Sequence, residues 1–159
     1  MQQTFVKIMA AMFLFIACVI SRVYAADAEL LTVYKSPTCG CCSVWIEHAK
    51  AQGFAIKSHD MDDVGLIKAR YKIQPQHQSC HTVISVEGFV FEGHVPAALI
   101  DKFLKEKPEN AIGLAVPGMP IGSPGMEMGD RFTPYEVLQL NKDGSTVVYQ
   151  KVTHLHQKF

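Results

Sequence analysis

The sequence predicts a mixed α/β fold in which helices cover a sheet of short strands. Three observations lead to this prediction. Apolar runs of strand length alternate with amphipathic stretches of helix length, turn residues separate these segments, and a further pair of strands follows near the C-terminus. The chain has 159 residues, with as many basic as acidic side chains. This length is enough for one domain with a hydrophobic core of its own.

The first 25 residues have the pattern of a secretory signal peptide. Lys7 precedes the apolar stretch 8–20, and Val23 and Ala25 are the small residues that a signal peptidase site requires. Thirteen apolar residues are fewer than the ~20 that a membrane-spanning helix needs, which argues against a retained anchor. We therefore predict cleavage after Ala25, export to the periplasm, and a mature single domain at 26–159 without a membrane anchor.

The predicted cleavage removes two basic residues and no acidic one, so the mature domain stays close to neutral charge. A near-neutral surface offers no general attraction for nucleic acid or for an anionic membrane. We accordingly expect neither of them as a partner.

Two pairs of strand and helix come first in the mature chain. In the strand segments the apolar residues form short runs or alternate with polar ones, and in the helix segments they recur every three or four residues. Asp62 or Asp63 can cap the second helix, and Gly53 ends the first. In order, the predicted elements are a strand at 30–34, a helix at 42–52, a strand at 54–58 and a helix at 62–71.

A hairpin and a third helix follow these elements. The turn 87–88 separates strand segments at 81–86 and 89–92. Pro96 suits the start of a helix that runs to Lys105, because its missing N–H costs little in the first turn. The order strand, helix, strand, helix, strand, strand, helix is that of the thioredoxin fold, in which a helical crossover makes the first two strands parallel.

The C-terminal part of the chain has a different composition. Segment 109–129 is rich in glycine, proline and methionine, so we predict a loop without regular helix or strand. Strands at 134–140 and 146–151, joined by the turn 141–144, are predicted to form a closing β-hairpin.

Four cysteines follow the predicted cleavage site, and three of them lie within four positions. Two disulfides are the first expectation for an exported protein with an even number of cysteines. Disulfides stabilise most when they close long loops, however, whereas these sulfurs are crowded together. Crowded thiolates favour a site for a soft metal such as Cu(I), or for zinc. The four residues are Cys39, Cys41, Cys42 and Cys80.

Cys39 and Cys42 have the C-x-x-C spacing of thiol-disulfide oxidoreductases. They lie where the first strand meets its helix, and the partial positive charge of a helix N-terminus favours thiolates. Cys41 lies between them and would interfere with a two-electron couple, so metal binding is the favoured interpretation. Cys39 and Cys42 remain the redox candidates if the protein is an enzyme.

Cys80 and His81 begin the third strand. In a thioredoxin-like fold the residues at this position pack against the first cysteine loop, normally through a cis-proline. We therefore expect Cys80 and His81 to face Cys39, with a buried structural cysteine as the alternative for Cys80. His94, after the fourth strand, is a further candidate ligand.

Met119, Met126 and Met128 form a second set of soft donors. Thioethers bind Cu(I) without losing a proton, and a loop of glycine and proline is not a packed core face. Gap filling in the core is the alternative for these methionines. His154 and His156 form a terminal H-x-H motif, for which an exposed tail is the simpler interpretation.

Charge favours several copper ions over one. Four thiolates around a single Cu(I) would leave about three uncompensated negative charges in a partly buried site. Several bridged Cu(I) ions would neutralise these charges, so we predict a multi-copper cluster as a hypothesis.

These motifs resemble the CopG family of periplasmic copper-resistance proteins, long catalogued as a domain of unknown function or as generic metal-binding proteins. The matching segments are C-G-C-C after S-P-T, S-C-H-T, and G-M-P-I-G-S-P-G-M, and the similarity runs over about 30–148. The resemblance implies a thioredoxin-like fold and a role in interconverting Cu(I) and Cu(II) during detoxification. The copper ligands that it implies are Cys39, Cys41, Cys42 and Cys80.

Three functions stay open at this point. The first is a copper oxidoreductase, which would need a redox partner. The second is a copper chaperone or buffer that passes Cu(I) to a periplasmic exporter without redox turnover. The third is a thiol-disulfide oxidoreductase that works without metal.

Overall fold

The structure is a computed structural model that describes residues 28–159. The predicted signal peptide, 1–25, lies outside the described residues. Between residues 28 and 159, no helix has the length and apolar character to cross a membrane.

One seven-stranded mixed sheet runs through the described part of the chain. Its strands are Leu30–Lys35 (β1), Ala55–Asp60 (β2), His81–Ser85 (β3), Val90–Glu92 (β4), Ala111–Ala115 (β5), Tyr135–Asn141 (β6) and Thr146–Val152 (β7). They are arranged in the order β2-β1-β3-β4-β5-β6-β7. The pairs β1-β2 and β4-β5 are parallel, whereas the other neighbouring pairs are antiparallel.

The described residues form three α-helices and one 3₁₀ turn. They are Gly40–Ala51 (α1), Gly65–Arg70 (α2), Ala97–Glu106 (α3) and the 3₁₀ turn Pro75–His77. Trp45 of α1 and Phe103 of α3 are fully buried in the same apolar cluster. Helices α1 and α3 therefore pack on one face of the sheet.

The sheet buries apolar side chains on both of its faces because successive strand residues point to opposite sides. Val83 of β3 packs in the cluster with α1 and α3. Its neighbour Ile84 packs on the other face, with Ile73 after α2 and Leu140 of β6. Burial on both faces fixes the register of the central strands, and with it the position of every residue at their ends.

The predicted α/β fold class is confirmed. The first four strands have the parallel pair and the hairpin that the sequence predicts, and 135–141 and 146–152 form the predicted closing hairpin. This hairpin extends the same sheet through β5.

The predicted loop at 109–129 begins too early, because Ala111–Ala115 forms β5. A Cβ atom at Gly113 would lie 1.6 Å from the carbonyl oxygen of Val90 on β4. Glycine at this position thus permits the close approach of two strands and does not break a strand. The irregular loop starts at Val116.

The predicted cap of the second helix is also wrong. Helix α2 begins at Gly65 after Val64, with no side-chain cap. The Asp63 carboxylate accepts the Gly65 N–H at 2.8 Å and so forms a local turn before the helix. Aspartate side chains compete with helical hydrogen bonds in this way, which explains why the helix is shorter than 62–71.

Candidate metal centre

The C-G-C-C motif lies at the junction of β1 and α1. The Cys39 N–H donates to the carbonyl of Ser36 at 3.1 Å, and Cys39 is the residue before the first helical position. Cys42 is fully buried in the first turn of α1, whereas Cys41 is partly exposed. The motif therefore places its sulfurs at the positive end of a helix dipole, with one side open to solvent.

The sulfur atoms of the four predicted cysteines come together. All of them lie within 4.8 Å of one another. Cys39 and Cys42 form a disulfide in this structure, and Cys41 and Cys80 are free. The Cys41 sulfur lies 3.5 Å from that of Cys39, and the Cys80 sulfur lies 3.4 Å from that of Cys42. Each free thiol therefore lies beside one half of the disulfide.

Cys80 joins the cysteine loop as the sequence predicts: its sulfur lies within 4.8 Å of that of Cys39, and it also contacts the Cys42 sulfur. The contact with Cys42 arises because the helical turn of α1 carries Cys42 inward to a fully buried position. His81 lies behind this contact in the core, where it does not reach the loop surface.

Cys80 also meets two imidazole rings. Its sulfur lies 3.3 Å from Nδ1 of His81 and 3.0 Å from Nε2 of His94. Nδ1 of His94 lies 2.7 Å from the carbonyl of Pro124, so this nitrogen carries the proton and Nε2 directs its lone pair at Cys80. Cys80, His81 and His94 thus form a second ligand group, which shares Cys80 with the first.

His81 has a ring nitrogen that is available to bind a metal ion. The side chain is fully buried, and its Nε2 has no hydrogen-bond partner within 28–159. The ring packs against Trp45, with centroids 4.8 Å apart, and meets the edge of the His94 ring at 5.0 Å. Buried imidazole nitrogens normally have a partner, and thiol and imidazole donors suit a soft metal ion. The residues present therefore fit copper.

Burial keeps the metal-free site uncharged. Burial raises the pKa of the Cys80 thiol to about 12, and the neighbouring Cys41 adds to this effect. Burial also lowers the pKa of His81 and of His94. At neutral pH the Cys80 thiol thus keeps its proton and can donate it to His94 Nε2. A metal ion that binds Cys80 must displace this proton, so we expect binding to strengthen as the pH rises.

The buried His81 predicts a loss of stability in mild acid. Its pKa is lowered in the folded protein, whereas the unfolded chain protonates histidine near pH 6.5. Below that pH only the unfolded state gains the proton, so the unfolding free energy falls by up to about 1.4 kcal/mol per pH unit. Denaturant unfolding of the metal-free protein at pH values of about 7.5 and about 5.5 measures this loss.

The His81→Phe variant separates this effect from other causes. It is expected to reduce the pH dependence by the share of His81, because burial also lowers the pKa of His94 and of His48, which keep their own shares. His154→Gln on the exposed tail is expected to keep the whole of it. If His81→Phe retained the wild-type pH dependence, the buried neutral imidazole would not be its source.

The glycine, proline and methionine loop, residues 116–129, covers the first turns of α1. A Cβ atom at Gly125 would lie 2.7 Å from the carbonyl oxygen of Cys41 and 2.9 Å from the backbone nitrogen of Trp45. The carbonyl of the preceding Pro124 accepts the proton of His94 Nδ1. This end of the loop therefore sets the orientation of a candidate ligand.

The other end of the loop contacts the segment before β3. The Gly118 N–H donates to the carbonyl of Gln78 at 3.1 Å, and the Ser79 hydroxyl donates to the carbonyl of Gly118. The loop is thus attached both to α1 and to the segment that carries Cys80.

The three methionines of this loop differ in exposure. Met119 and Met128 are about half exposed, at 52% and 49%, and Met126 is partly buried. Their assignment as ligands stays a prediction.

The remaining histidines lie outside both ligand groups. Nε2 of His48 accepts the Ala97 N–H at 3.2 Å, so this side chain fixes the start of α3. His154 and His156 are exposed on the C-terminal tail, as the simpler interpretation expects. Lys68 and Glu92 form a buried ion pair next to the site, and no sequence motif singles them out. The only signal was an acidic residue at the end of an apolar strand.

Replacing Gly125 by alanine is expected to displace the loop from α1. The added Cβ would overlap backbone atoms, and the φ of +85° is unfavourable for alanine. We expect a loss of about 1–3 kcal/mol in unfolding free energy and Cu(I) binding about tenfold weaker, because His94 loses its orienting carbonyl. Denaturant unfolding and anaerobic competition with a Cu(I) chelator measure the two effects.

Gly129→Ala is the matched control for this change. Gly129 also has a positive φ, +61°, but a Cβ there would meet nothing within 4 Å. It is expected to retain Cu(I) binding. Equal losses in the two variants would show that backbone strain, and not the contact with α1, is responsible.

The chain is similar to two solved copper-resistance structures. The first, "Copper resistance protein copG- Form 2", has a TM-score of 0.75 and 39% identity over 80% of this chain and 100% of that chain. The second, "Copper resistance protein copG- Form 1", has a TM-score of 0.74 and 40% identity over 79% of this chain and 98% of that chain. A family model described as "Protein of unknown function, DUF411" matches 77–126, a segment that includes Cys80 and the two candidate imidazoles, His81 and His94. No curated protein matches the chain.

Proposed function

The chain belongs to the CopG family of copper-resistance proteins, and from this premise we propose that it binds Cu(I) as a cluster of several ions bridged by thiolates. One observation carries the proposal. Two groups of ligand atoms, one of four sulfurs and one of a sulfur and two imidazoles, share Cys80. A thiolate that belongs to both groups can bridge neighbouring ions, and bridging neutralises the negative charge of the four sulfurs.

The donors favour Cu(I) over zinc. A structural zinc site is closed by four ligands in tetrahedral geometry. Here two imidazoles supplement the four sulfurs. We propose that the thioethers of the adjacent loop also contribute, and thioethers are ligands for copper and not for zinc. We propose Cys39, Cys41, Cys42 and Cys80 as the main ligands, with His81, His94 and the loop methionines Met119, Met126 and Met128 completing the site.

Copper binding and the disulfide exclude each other at Cys39 and Cys42, because a disulfide sulfur is not a thiolate. Reduction of this bond by two electrons and two protons releases both sulfurs as ligands. In the opposite direction, two thiols that close the bond give up two electrons and two protons. Those two electrons convert two Cu(II) ions to two Cu(I) ions. This balance supports a copper oxidoreductase that interconverts the two oxidation states, with Cys39 and Cys42 as its redox pair.

The setting that we propose is the periplasm. Export through the general secretory pathway would deliver the chain unfolded, so the protein would acquire copper outside the cytoplasm. The partners would be a copper exporter and a redox protein.

A thiol-disulfide oxidoreductase is the second candidate function. The bond between Cys39 and Cys42 at the start of a helix favours it. The position that the thioredoxin fold normally gives to a cis-proline is occupied here by Cys80, and no cis peptide bond occurs within 28–159. The free thiols of Cys41 and Cys80 lie close to the disulfide sulfurs and would compete with a substrate thiol for them. We therefore favour the copper function.

Anaerobic loading of the reduced mature protein with Cu(I) tests the proposal. We expect more than one Cu(I) per chain, and a ratio fixed at one would contradict the cluster. Addition of excess Cu(II) to the reduced protein, together with an electron donor that returns two electrons to each disulfide, then separates the redox enzyme from the chaperone. The redox enzyme turns over repeatedly and forms many Cu(I) ions per chain, whereas a chaperone or buffer stops after the single reduction that its own thiols supply.

A further inference from the structure

A buried ion pair lies beneath the segment that carries Cys80. Nζ of Lys68 on α2 lies 2.5 Å from Oε1 of Glu92 at the end of β4, and the two side chains are 7% and 0% exposed. The Thr82 hydroxyl donates to the other carboxylate oxygen at 2.6 Å and accepts from Lys68 at 3.0 Å. These three side chains lie outside both ligand groups.

Glu92 has a further partner in the backbone. Its Oε1 accepts the N–H of Ser79 at 2.7 Å, and Ser79 is the residue before Cys80. A hydrogen bond to a carboxylate is roughly twice as strong as one between neutral groups. The carboxylate therefore fixes the peptide from which the Cys80 side chain projects.

Two other contacts leave Ser79 little room to move. A Cβ atom at Gly93 would lie 2.5 Å from the Cβ of Ser79, so Gly93 allows the two segments to pack closely. The Ser79 hydroxyl holds the loop residue Gly118. Of the three residues that contact Ser79, only Glu92 is charged. A substitution of Glu92 removes its hydrogen bond to Ser79 without changing any residue of the Cys80 segment.

Stability alone does not account for the ion pair. Two buried charges must leave water, and well-packed apolar residues in place of such a pair are often neutral or stabilising. Burial raises the pKa of Glu92, whereas Lys68 and the hydrogen bonds from Thr82 and Ser79 oppose this rise. Burial thus disfavours the charged form of Glu92, although the carboxylate contacts the backbone at Ser79, directly before Cys80.

We propose that Glu92 is a positioning residue for Cys80. Its carboxylate holds the Ser79 amide and so places the Cys80 sulfur between Cys42 and His94, at the point that the two ligand groups share. Lys68 supplies the charge that allows the carboxylate to stay buried. The consequence for copper rests on the proposed function, whereas the placement of Cys80 does not.

Two double variants test this role against a structural one. Lys68→Met/Glu92→Gln removes both charges but keeps an amide oxygen that accepts the Ser79 N–H. Lys68→Met/Glu92→Leu removes both charges and the acceptor. Both are expected to fold, because each leaves the site without an unpaired buried charge. Comparison of the two therefore isolates the hydrogen bond to Ser79.

The first readout is the reactivity of Cys80 in the metal-free protein with the Cys39–Cys42 bond intact. Peptide mapping after alkylation separates Cys80 from Cys41. We expect the glutamine variant to react at the wild-type rate and the leucine variant about tenfold faster, because its Cys80 segment opens more often. Equal rates in two folded variants would overturn the proposal.

The second readout is Cu(I) affinity, measured by anaerobic chelator competition. We expect the glutamine variant to bind as the wild type does and the leucine variant to bind about 10–100-fold more weakly. Equal weakening in both variants would assign the effect to the lost charges and would overturn the role of the Ser79 hydrogen bond.

Hydrogen exchange of the wild-type Ser79 amide provides a test that does not depend on any variant. Strong protection is expected, and exchange as fast as in an unfolded segment would overturn the proposal. If the wild type bound no Cu(I) while Ser79 was protected and the alkylation rates differed as expected, the proposed function would fail and the positioning of Cys80 would stand.

Discussion

Replacement of Cys80 by serine is expected to weaken Cu(I) binding by about 100-fold or more and to reduce the number of ions bound. Loss of an outer partner of a metal ligand already costs about 10–100-fold in metal affinity, and Cys80 is itself a candidate ligand in both groups. Anaerobic competition with a Cu(I) chelator gives the affinity, and metal analysis gives the ratio. The fold is expected to persist, because serine has nearly the shape of cysteine.

Val147→Ser is a suitable control for this variant, because Val147 is exposed on β7 at the far edge of the sheet. It is expected to bind Cu(I) as the wild type does. An affinity of Cys80→Ser within about threefold of the wild type would contradict the shared-ligand arrangement. Disulfide exchange activity that also survived in Cys80→Ser would favour the thiol-disulfide oxidoreductase instead.

Replacement of Lys68 by methionine alone is expected to destabilise the protein by about 3–5 kcal/mol, because the Glu92 carboxylate stays buried without its counter-charge. The pKa of Glu92, which burial already raises, would rise further. A carboxyl with a raised folded pKa stabilises the protein at low pH and loses this contribution as the pH rises. The deficit is therefore expected to be smaller at a pH of about 5 than at neutral pH, as measured by denaturant unfolding.

Two comparisons make this result specific. Addition of Glu92→Leu to the same chain is expected to restore most of the lost stability, since no charge then remains buried. Lys50→Met breaks the exposed pair with Glu47 and is expected to cost less than about 1 kcal/mol. A cost for Lys68→Met as small as that of Lys50→Met would contradict the buried ion pair.

The parts of the fold that the sequence predicts well are those with a local signal. The strands at 30–35 and 81–85 have apolar runs, and the helix at 97–106 has an amphipathic pattern after Pro96. The sequence does not predict β5, because Gly113 lies in a segment with the composition of a loop. The glycine is required by the close approach of β4, which depends on a tertiary contact.

The candidate site also has residues that a local sequence pattern predicts and residues that only the tertiary structure brings together. The C-x-C-C spacing is local, so the cysteines were identified from the sequence, and the thioredoxin-like order was enough to bring Cys80 to them. The additional contact of Cys80 with Cys42 does not follow from the spacing, because the direction of Cys42 depends on where α1 begins. Lys68 and Glu92 meet across 24 residues, and a lone acid at the end of a strand does not show that it will be buried. Contacts of this kind follow from the packed fold and not from a motif.

The exposed donors around the site bear on how copper would arrive and leave. Cys41 is partly exposed, and Met119 and Met128 are about half exposed on the loop that covers α1. Cys80 is partly exposed as well, whereas the imidazoles of His81 and His94 are fully buried. We expect an incoming ion to meet the exposed sulfurs first and the two buried imidazoles afterwards. This order predicts that the methionines affect the rate of loading more than the final affinity.

X-ray absorption of the reduced mature protein loaded with Cu(I) tests the central proposal most directly. The thiolate cluster predicts copper with mainly sulfur neighbours, a minor nitrogen contribution from imidazole, and a short copper–copper distance. In Cys80→Ser the copper–copper signal is expected to weaken, because the shared bridge is lost. A spectrum of mainly oxygen or nitrogen ligation, unchanged in Cys80→Ser, would contradict it.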